Sequence, residues 1–351
     1  MPAAPDYSRQ MRLTGIGPAG QRRLRTARVL VLGAGGLGSA ALPILAGAGV
    51  GALTVVDPDA LEASNLHRQT LYRSDQPGQP KADLAAAALR RLNPDVAVTA
   101  IARKIDAAEL LEQIAKHDLA LECTDDIAAK LQTSDAAVLL RKPAIFASAI
   151  GRAGQLQTYG GGAHSACLRC LWPQIPGGAQ TCDQAGVLGS VPALIGSLQA
   201  HEALQWLLRR QDFPCKNLEN RVLYYDAATF QQRLIRLPIA ADCTAHRPTW
   251  NRAAYLRRHQ SLEYRGTFAE AIAAGFQIID LRDPAIAAQN PLPAPCQHQS
   301  PDQLLNAPPE KTNKKTLLVC HRGHTSRRLA AQLRERGWNT VHSKTGGAQS
   351  R

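Results

Sequence analysis

The segment Val29–Gly38 constrains the fold of this chain most strongly. It reads Val-Leu-Val-Leu-Gly-Ala-Gly-Gly-Leu-Gly, an apolar run that leads into a cluster of glycines. The run predicts a buried strand, and the glycines predict a tight turn that opens a helix. Such a turn binds phosphate, because its free N–H groups and the helix dipole face the anion. Asp57 ends the next apolar run, where a carboxylate can hold ribose hydroxyls. The segment therefore predicts a nucleotide-binding unit.

Polar residues after Asp57 make this unit unusual. They are Asp59, Asn65, Arg68, Gln69 and Lys81. Two cations and two amides can hold a polyphosphate and neutralise the charge that develops during nucleotidyl transfer. The glycines and Asp57 alone also fit an NAD(P)-dependent oxidoreductase, which stays open as an alternative at this point. The glycines concerned are Gly33, Gly35, Gly36 and Gly38.

Apolar runs and helical patterns alternate along the first two thirds of the chain. We expect a strand-turn-helix-strand unit over Arg28–Asp57, strands at Val96–Ile101, Leu119–Cys123 and Ala144–Ile150 with helices between them, and a long helix at Val191–Arg210. This alternation predicts an α/β fold whose mostly parallel sheet is covered on both faces. Val29–Val56 carries no charge, but Pro43 and its glycines favour a buried β-α-β core over a membrane span.

A second α/β unit is expected after a break in the pattern. Strands are predicted at Gln277–Leu281 and Thr316–Val319, and a helix at Ser326–Arg336, with a proline-rich loop over Pro291–Pro309. The predicted domains are 1–247 and 264–351, joined by a linker at 248–263. We find no internal repeat.

Composition limits the partners. The formal net charge is +13, but the basic residues are scattered as short arginine pairs. They indicate solvated helix faces or steering of an acidic protein partner, and no aromatic-interleaved basic motif points to nucleic acid. No secretory signal opens the sequence, so we expect a cytoplasmic protein without membrane contact. In that compartment eight cysteines indicate metal binding or catalysis rather than disulfides. Cys167-x-x-Cys170 has the spacing of half a tetrahedral zinc site.

The motifs together resemble the MoeB/ThiF family of adenylyltransferases, bacterial relatives of ubiquitin-activating enzymes. The matching pieces occur in order over about Asp6–His246. They are Tyr7-Ser-Arg9-Gln10, Gly33–Gly38, Asp57-Pro-Asp59, Ser64–Gln69, Gly78–Lys81, Asn93-Pro94, Cys123-Thr-Asp125, Cys167-x-x-Cys170 and Thr181-Cys182. The resemblance implies a Rossmann-like, doubly wound domain that binds ATP and Mg²⁺.

Roles for single residues follow from this resemblance. It implies that Asn65, Arg68 and Lys81 contact the ATP phosphates and that Asp125 holds Mg²⁺. It also implies that Arg9 reaches across a homodimer into the other subunit's ATP site, and a surface charge is the alternative. Asp126 stands where the family usually has Asn.

The same resemblance completes a structural zinc site and suggests a thiol acceptor. Cys243 and His246 stand where the family has its second Cys-x-x-Cys, which implies a Cys₃His site with Cys167 and Cys170. Cys182 occupies the family's candidate acyl-accepting position, and a small core residue is the alternative.

Cys320-His-Arg-Gly-His-Thr-Ser326 lies between a predicted strand and a predicted helix. A loop of this length can surround the sulfur with N–H groups, and the helix N-terminus and nearby cations favour a thiolate or persulfide. With Asp280-Leu-Arg282 upstream, Tyr264–Arg351 resembles a short rhodanese domain, in which Ala285–Pro301 replaces the usual Gly-His-Ile segment. An inactive docking domain is the alternative.

These resemblances imply a homodimeric adenylyltransferase fused to a sulfurtransferase. Its expected protein substrate is a ubiquitin-like sulfur carrier with a C-terminal Gly-Gly, and a persulfide donor such as a cysteine desulfurase would supply sulfur to Cys320. The expected cofactors are ATP, Mg²⁺ and Zn²⁺. A non-catalytic scaffold that binds a ubiquitin-like protein is a further alternative.

Overall fold

The computed structural model describes residues 5–173, 186–209, 217–259, 263–264, 266–306, 315–321, 323–335, 338, 340–345 and 347–349. The chain divides into two compact units, 1–252 and 253–351, so the division falls inside the segment predicted to be a linker. Cys182 lies outside the described residues. None of the described helices is long and apolar enough to cross a membrane.

The first unit begins with two helices that precede an eight-stranded sheet. The described helices are α1 Ser8–Met11, α2 Gly17–Thr26, α3 Gly36–Gly47, α4 Lys81–Leu92, α5 Ala107–Lys116, α6 Ile127–Leu140, α7 Leu168–Leu171 and α8 Ser190–Leu208. The strands are β1 Arg28–Leu32, β2 Ala52–Val56, β3 Ala97–Ile101, β4 Leu119–Glu122, β5 Ala144–Ile150, β6 Ala153–Tyr159, β7 Arg221–Asp226 and β8 Gln231–Arg236.

The strand order β3-β2-β1-β4-β5-β6-β7-β8 confirms the predicted Rossmann-like α/β architecture. The first five strands pair in parallel, with Val29 of β1 opposite both Leu53 and Leu119. The last three join antiparallel, with Phe146 opposite Gln157 across β5 and β6. Helix α3 packs on α4 and on α8, and α5 packs on α6. Because β1 and β4 are buried along almost their whole length, this half of the sheet forms the core.

The antiparallel half of the sheet differs from the prediction that helices cover both faces of the sheet, because strand β8 is exposed on both faces. All six residues of β8 are exposed, including Leu234 and Ile235. An antiparallel strand needs no crossover helix to reach its neighbour, so nothing in the connection covers it. Strand β6 was not predicted, although Ala153–Tyr159 pairs along its full length.

The second unit is a smaller α/β domain with a fully parallel sheet. Its strands are β9 Glu263–Tyr264, β10 Phe276–Asp280, β11 Gln297–His298, β12 Lys315–Val319 and β13 Val341–Lys344, in the order β11-β10-β12-β13-β9. Its described helices are α9 Arg252–His259, α10 Phe268–Ala273, α11 Pro284–Gln289, α12 Pro301–Asn306 and α13 His324–Glu335. The expected proline-rich loop at 291–309 contains β11 and α12, which the prolines obscured. Helix α12 in fact begins at Pro301, because a helix tolerates proline in its first turn.

Candidate functional site

A cavity of about 1180 Å³ opens at the carboxyl ends of β1, β2, β4 and β5. Parallel sheets bind ligands at such a place, where the strand order reverses between β1 and β4. All predicted nucleotide-binding residues except Gly38 line this cavity. The predicted residues that line it are Gly33, Gly35, Gly36, Asp57, Asp59, Asn65, Arg68, Gln69, Lys81 and Asp125.

The glycine turn brings the start of α3 against the end of β1. Gly33 has φ +93° and donates its N–H to the Val56 carbonyl at 2.8 Å. A side chain at Gly38 would place its Cβ 2.2 Å from the Gly33 carbonyl oxygen, so only glycine allows this approach. Gly38 therefore allows α3 to pack closely against the end of β1. The N-terminus of α3 faces the cavity.

The Asp57 carboxylate fixes this turn from the end of β2. It accepts hydrogen bonds from Ala34 N at 2.7 Å and Asp59 N at 2.9 Å. Burial raises the pKa of Asp57, and the two hydrogen bonds oppose that shift. Asp57 thus has a structural role in addition to the predicted contact with ribose.

Two cations face the same cavity. Lys81 begins α4, and its side chain is 8% exposed. Lys81 Nζ lies 3.2 Å from Asp59 Oδ2, and the backbone N–H of Lys81 donates to the Asp59 carbonyl at 2.9 Å. Arg68 Nη1 donates to the Ser64 carbonyl at 2.9 Å. Both side chains are therefore held by the segment that follows β2, where they can neutralise phosphate charge.

Gln69 gives an independent indication of a ligand. Its Oε1 is buried and has no hydrogen-bond partner in the described part of the chain. A buried acceptor left unpaired is costly, so a donor group of a bound molecule would relieve it. The site thus combines an acceptor, two cations and a helix N-terminus, a donor set that fits a nucleoside triphosphate.

Asp125 and Asp126 follow β4 and have different surroundings. Asp126 Oδ1 accepts from Ala128 N at 2.8 Å, which caps α6. Asp125 is exposed and makes no hydrogen bond or ion pair with any described residue. The carboxylate of Asp125 is therefore the one available to a hard cation such as Mg²⁺.

Arg9 does not line the cavity of its own chain. Helix α1 is held by Asn93 Nδ2, which donates to Tyr7 Oη at 2.7 Å, and by Gln10 Nε2, which donates to the Ala48 carbonyl at 2.9 Å. Between these anchors Arg9 is exposed. Its predicted role in a second subunit therefore stays a prediction.

Cys167, Cys170, Cys243 and His246 come together as the resemblance implied. Their ligand atoms all lie within 4.8 Å of one another. Cys167 Sγ is 3.8 Å from Cys170 Sγ and 3.6 Å from Cys243 Sγ. A tetrahedron with zinc–sulfur bonds of about 2.3 Å requires about 3.8 Å between sulfurs. His246 Nε2 is buried without a partner among the described residues. These atoms therefore fit zinc.

Helix α6 supports this cluster. Ser134 Oγ accepts from Leu168 N at 3.1 Å. The buried Asp135 carboxylate accepts two hydrogen bonds from Arg169, at 2.6 and 2.8 Å. Both contacts hold the Cys167–Cys170 turn, so the same helix that starts beside Asp125 also orients the cysteines.

The sequence matches the ThiF family over residues 7–245. The chain belongs to the ThiF family. A sulfur carrier protein adenylyltransferase of Thermus thermophilus is 42% identical over 248 residues, which cover 67% of this chain and 90% of that protein. The molybdopterin-synthase adenylyltransferase of Escherichia coli is 41% identical over 237 residues, covering 68% and 94%.

Two further relatives extend the comparison. The Drosophila virilis protein named adenylyltransferase and sulfurtransferase MOCS3 is 38% identical over 233 residues, 66% of this chain and 51% of that protein, so the match spans about half of its length. The crystal structure of E. coli MccB with ATP has a TM-score of 0.55 at 20% identity and covers 65% of this chain and 68% of its own. That likeness shows the shared fold of the ThiF unit.

Cys320 lies beyond the ThiF match, at the end of β12. Its Sγ accepts from Gly323 N at 3.2 Å and from Ser326 N at 3.3 Å, and lies 3.3 Å from Ser326 Oγ. Burial alone would raise the pKa of Cys320, but the hydrogen bonds from Ser326, Gly323 and Thr325 lower it below the ordinary value. The loop therefore surrounds the sulfur with donors, as predicted, and favours a thiolate.

Two parts of this second site stand apart from the sequence prediction. Ser343 Oγ lies 2.8 Å from Ser326 Oγ, a contact from β13 that no local motif indicates. Asp280 and Arg282 form a buried ion pair with Oδ2–Nη2 at 2.7 Å. That pair satisfies both charges within the domain, so the Asp-x-Arg motif serves the fold.

Proposed function

We propose that this chain adenylates the C-terminal glycine of a ubiquitin-like sulfur carrier and that Cys320 then delivers sulfur to the activated carboxyl. The observation that carries the first step is the cavity that joins the glycine turn, Lys81, Arg68 and the exposed Asp125. The relatives' names support the substrate class. The cytoplasmic location and the two domain limits stay predictions.

Adenylation needs charge neutralisation more than covalent chemistry from the protein. The carrier carboxylate attacks the α-phosphorus of ATP, and pyrophosphate leaves. Lys81 and Arg68 would stabilise negative charge that grows on the phosphates, and the N-terminus of α3 adds its dipole. Asp57 would hold the ribose. Asp125 would hold Mg²⁺, which when bound supplies further charge neutralisation to the phosphates.

Sulfur transfer is the second step. A persulfide donor loads Cys320, and the donors around the loop stabilise the persulfide anion. Its outer sulfur attacks the acyl-adenylate, AMP leaves, and an acyl disulfide forms. A second thiol then attacks the Cys320 sulfur, which releases the thiocarboxylate and leaves a disulfide. The name of the MOCS3 relative supports this step. The scheme does not require Cys182, whose role as an acyl acceptor stays a prediction.

Zinc would be structural in this scheme. Three cysteines and one histidine occupy all four positions of a tetrahedron, so no open position remains for a substrate. When bound, the metal would hold the Cys167–Cys170 turn against the segment of Cys243 and His246.

The first step is tested by carrier-dependent exchange of pyrophosphate into ATP. Lys81→Ala and Asp125→Ala should each abolish exchange while circular dichroism stays that of the parent. Exchange near the parent rate in both variants would refute the assignment of the nucleotide site. Protection against heat by NAD rather than by ATP with Mg²⁺ would favour an oxidoreductase.

A mixing experiment tests the homodimer and Arg9. Arg9→Ala and Lys81→Ala are inactive separately if Arg9 acts in the other subunit. After subunit exchange, half of the dimers are mixed and each has one intact site, so about a quarter of the parent activity should return. No recovery, with exchange of subunits verified, would contradict the role in the partner.

Carrier mass separates the two steps. Cys320→Ala should leave pyrophosphate exchange unchanged and abolish the replacement of one oxygen by sulfur on the carrier, when a persulfide donor is the only sulfur source. Thiocarboxylate at the parent rate would mean that the second unit only docks a partner.

A further inference from the structure

Glu122 is a fully buried carboxylate at the end of β4, three residues before Asp125. A charged group in such a place is unstable unless it is paired and hydrogen-bonded. Lys130 of α6 provides the pairing, because its Nζ donates to Glu122 Oε2. The same Nζ donates to the Ala147 carbonyl of β5 at 2.6 Å. One ion pair therefore ties β4, α6 and β5 together at the wall of the cavity, which Lys130 lines.

The other carboxylate oxygen of Glu122 holds the loop that carries Asp125. Glu122 Oε1 accepts from Thr124 N at 3.1 Å and also from Thr124 Oγ1. Thr124 Oγ1 in turn accepts from Asp126 N at 3.3 Å. The backbone is thus fixed on both sides of Asp125, whereas the Asp125 side chain is left exposed toward the cavity.

We infer that Glu122 and Lys130 are positioning residues that set the Asp125 carboxylate for its cation. This inference rests on the proposed function, because it assigns a cation to Asp125. Neither residue needs to touch the nucleotide. Groups that orient a metal ligand typically change metal affinity by about ten- to a hundredfold when they are removed.

Burying the charged carboxylate of Glu122 costs free energy. Burial raises the pKa of Glu122 above its ordinary value, while Lys130 and Thr124 oppose that shift. A buried ion pair adds little to stability by itself, and replacing one by apolar residues is often neutral. The stability of the fold therefore does not explain this ion pair, whereas a role in holding the Thr124–Asp126 loop does.

Glu202 offers a matched control. It is also a buried carboxylate, and it accepts from Thr158 Oγ1 at 2.7 Å and from Leu218 N at 2.7 Å. Its surroundings thus repeat the hydroxyl and N–H donors of Glu122. The partners of Glu202, Thr158 and Leu218, do not line the cavity, whereas Thr124 and Lys130, the partners of Glu122, do. Glu202→Gln should change stability alone.

The test is the Mg²⁺ concentration that gives half-maximal pyrophosphate exchange, measured on the full chain with carrier. Glu122→Gln should raise this concentration about tenfold or more, and Glu202→Gln should leave it unchanged. Thermal unfolding of both variants reports their loss of stability. Glu122→Gln leaves the buried ammonium of Lys130 without its counter-ion. The double variant Glu122→Gln with Lys130→Met removes both charges and should show the same raised Mg²⁺ requirement.

The outcomes separate the two proposals. If the parent protein shows no carrier-dependent exchange, the proposed function fails. If Asp125→Ala keeps parent exchange, the assignment of a cation to Asp125 fails and the positioning role fails with it. If Asp125→Ala abolishes exchange but Glu122→Gln and the double variant need no more Mg²⁺ than Glu202→Gln, the positioning role is refuted and the pair is only structural. A raised Mg²⁺ requirement in Glu202→Gln would refute it also, because any loss of stability would then suffice.

Discussion

Lys81 Nζ lies 3.2 Å from Asp59 Oδ2 at the edge of the cavity. The two partners differ in exposure, since the Lys81 side chain is 8% exposed and that of Asp59 is 66% exposed. Water therefore screens the carboxylate, and such a pair contributes only about 0–1 kcal/mol. The contact orients the ammonium more than it stabilises the fold.

This relationship predicts unequal effects of mutation at the two positions. Asp59→Asn should reduce pyrophosphate exchange by about fivefold or less, because about 1 kcal/mol of orientation is lost. Lys81→Ala should abolish exchange. Steady-state exchange at saturating ATP is the measurement. A loss with Asp59→Asn as complete as that with Lys81→Ala would mean that Asp59 contacts the nucleotide or its metal directly.

The cysteine cluster predicts one zinc per chain. Cys170→Ser should lose the metal and lower the thermal midpoint, because binding at a closed site adds to the folding free energy. His246→Cys should retain the metal, since four thiolates also bind zinc tetrahedrally. Elemental analysis gives the metal content. Cys123→Ser is the control, because the buried thiol of Cys123 donates a hydrogen bond to Gln199 and lies outside the cluster. A stable, metal-free parent protein would contradict the assignment.

The Ser326 hydroxyl predicts a shift in the reactivity of Cys320. Ser326→Ala removes one of the donors that lower the pKa of Cys320, so that pKa should rise. The alkylation rate of Cys320, followed by mass spectrometry of its peptide, should reach half of its maximum at a higher pH than in the parent. Ser300→Ala, whose hydroxyl instead accepts from Gln303 N, is the control. An unchanged pH profile would mean that the backbone donors suffice.

His342 predicts a loss of stability in acid. Burial, together with the nearby charges of Arg334 and Lys315, lowers its pKa to about 4. The unfolded chain binds a proton near pH 6.5, so His342 stabilises the fold at pH 7 and this contribution is lost as the pH falls from about 6.5 toward 4. The protection factors of amides in β12 and β13, which correct exchange rates for their intrinsic pH dependence, should fall over this range in the parent and less in His342→Gln. An equal fall in both would assign the effect to other groups.

The parallel core could be predicted from sequence because its signals are local. The apolar run and glycines of Val29–Gly38 specify a strand, a turn and a helix within ten residues. Strand β6 has no such signal. Its Gln157 and Thr158 are buried, and Gln157 Nε2 donates to the Ala166 carbonyl while Thr158 Oγ1 donates to Glu202. Polar residues therefore occupy buried positions in this strand, and the apolar pattern is lost.

The candidate site was predictable in parts for the same reason. Asp57, Lys81 and Asp125 follow recognisable elements, and the structure brings them to one cavity. Cys243 and His246 are distant in sequence from Cys167, so only the family resemblance linked them. Glu122 was missed although it carried a signal, a charge that ends the apolar run Leu119–Leu121. Its partner Lys130 lies eight residues on, and only the fold shows that the two meet.

Helix α6 serves two places at once, the loop of Asp125 at its start and the cysteine turn near Ser134 and Asp135. A helix turns by about 100° for each residue. One residue inserted between Lys130 and Ser134 would therefore rotate Ser134 and Asp135 away from Leu168 and Arg169, or else rotate Lys130 away from Glu122. The length of this helix is thus fixed by both ends. Variation among functional sequences should occur here by substitution, and insertions or deletions should be confined to the loops outside it.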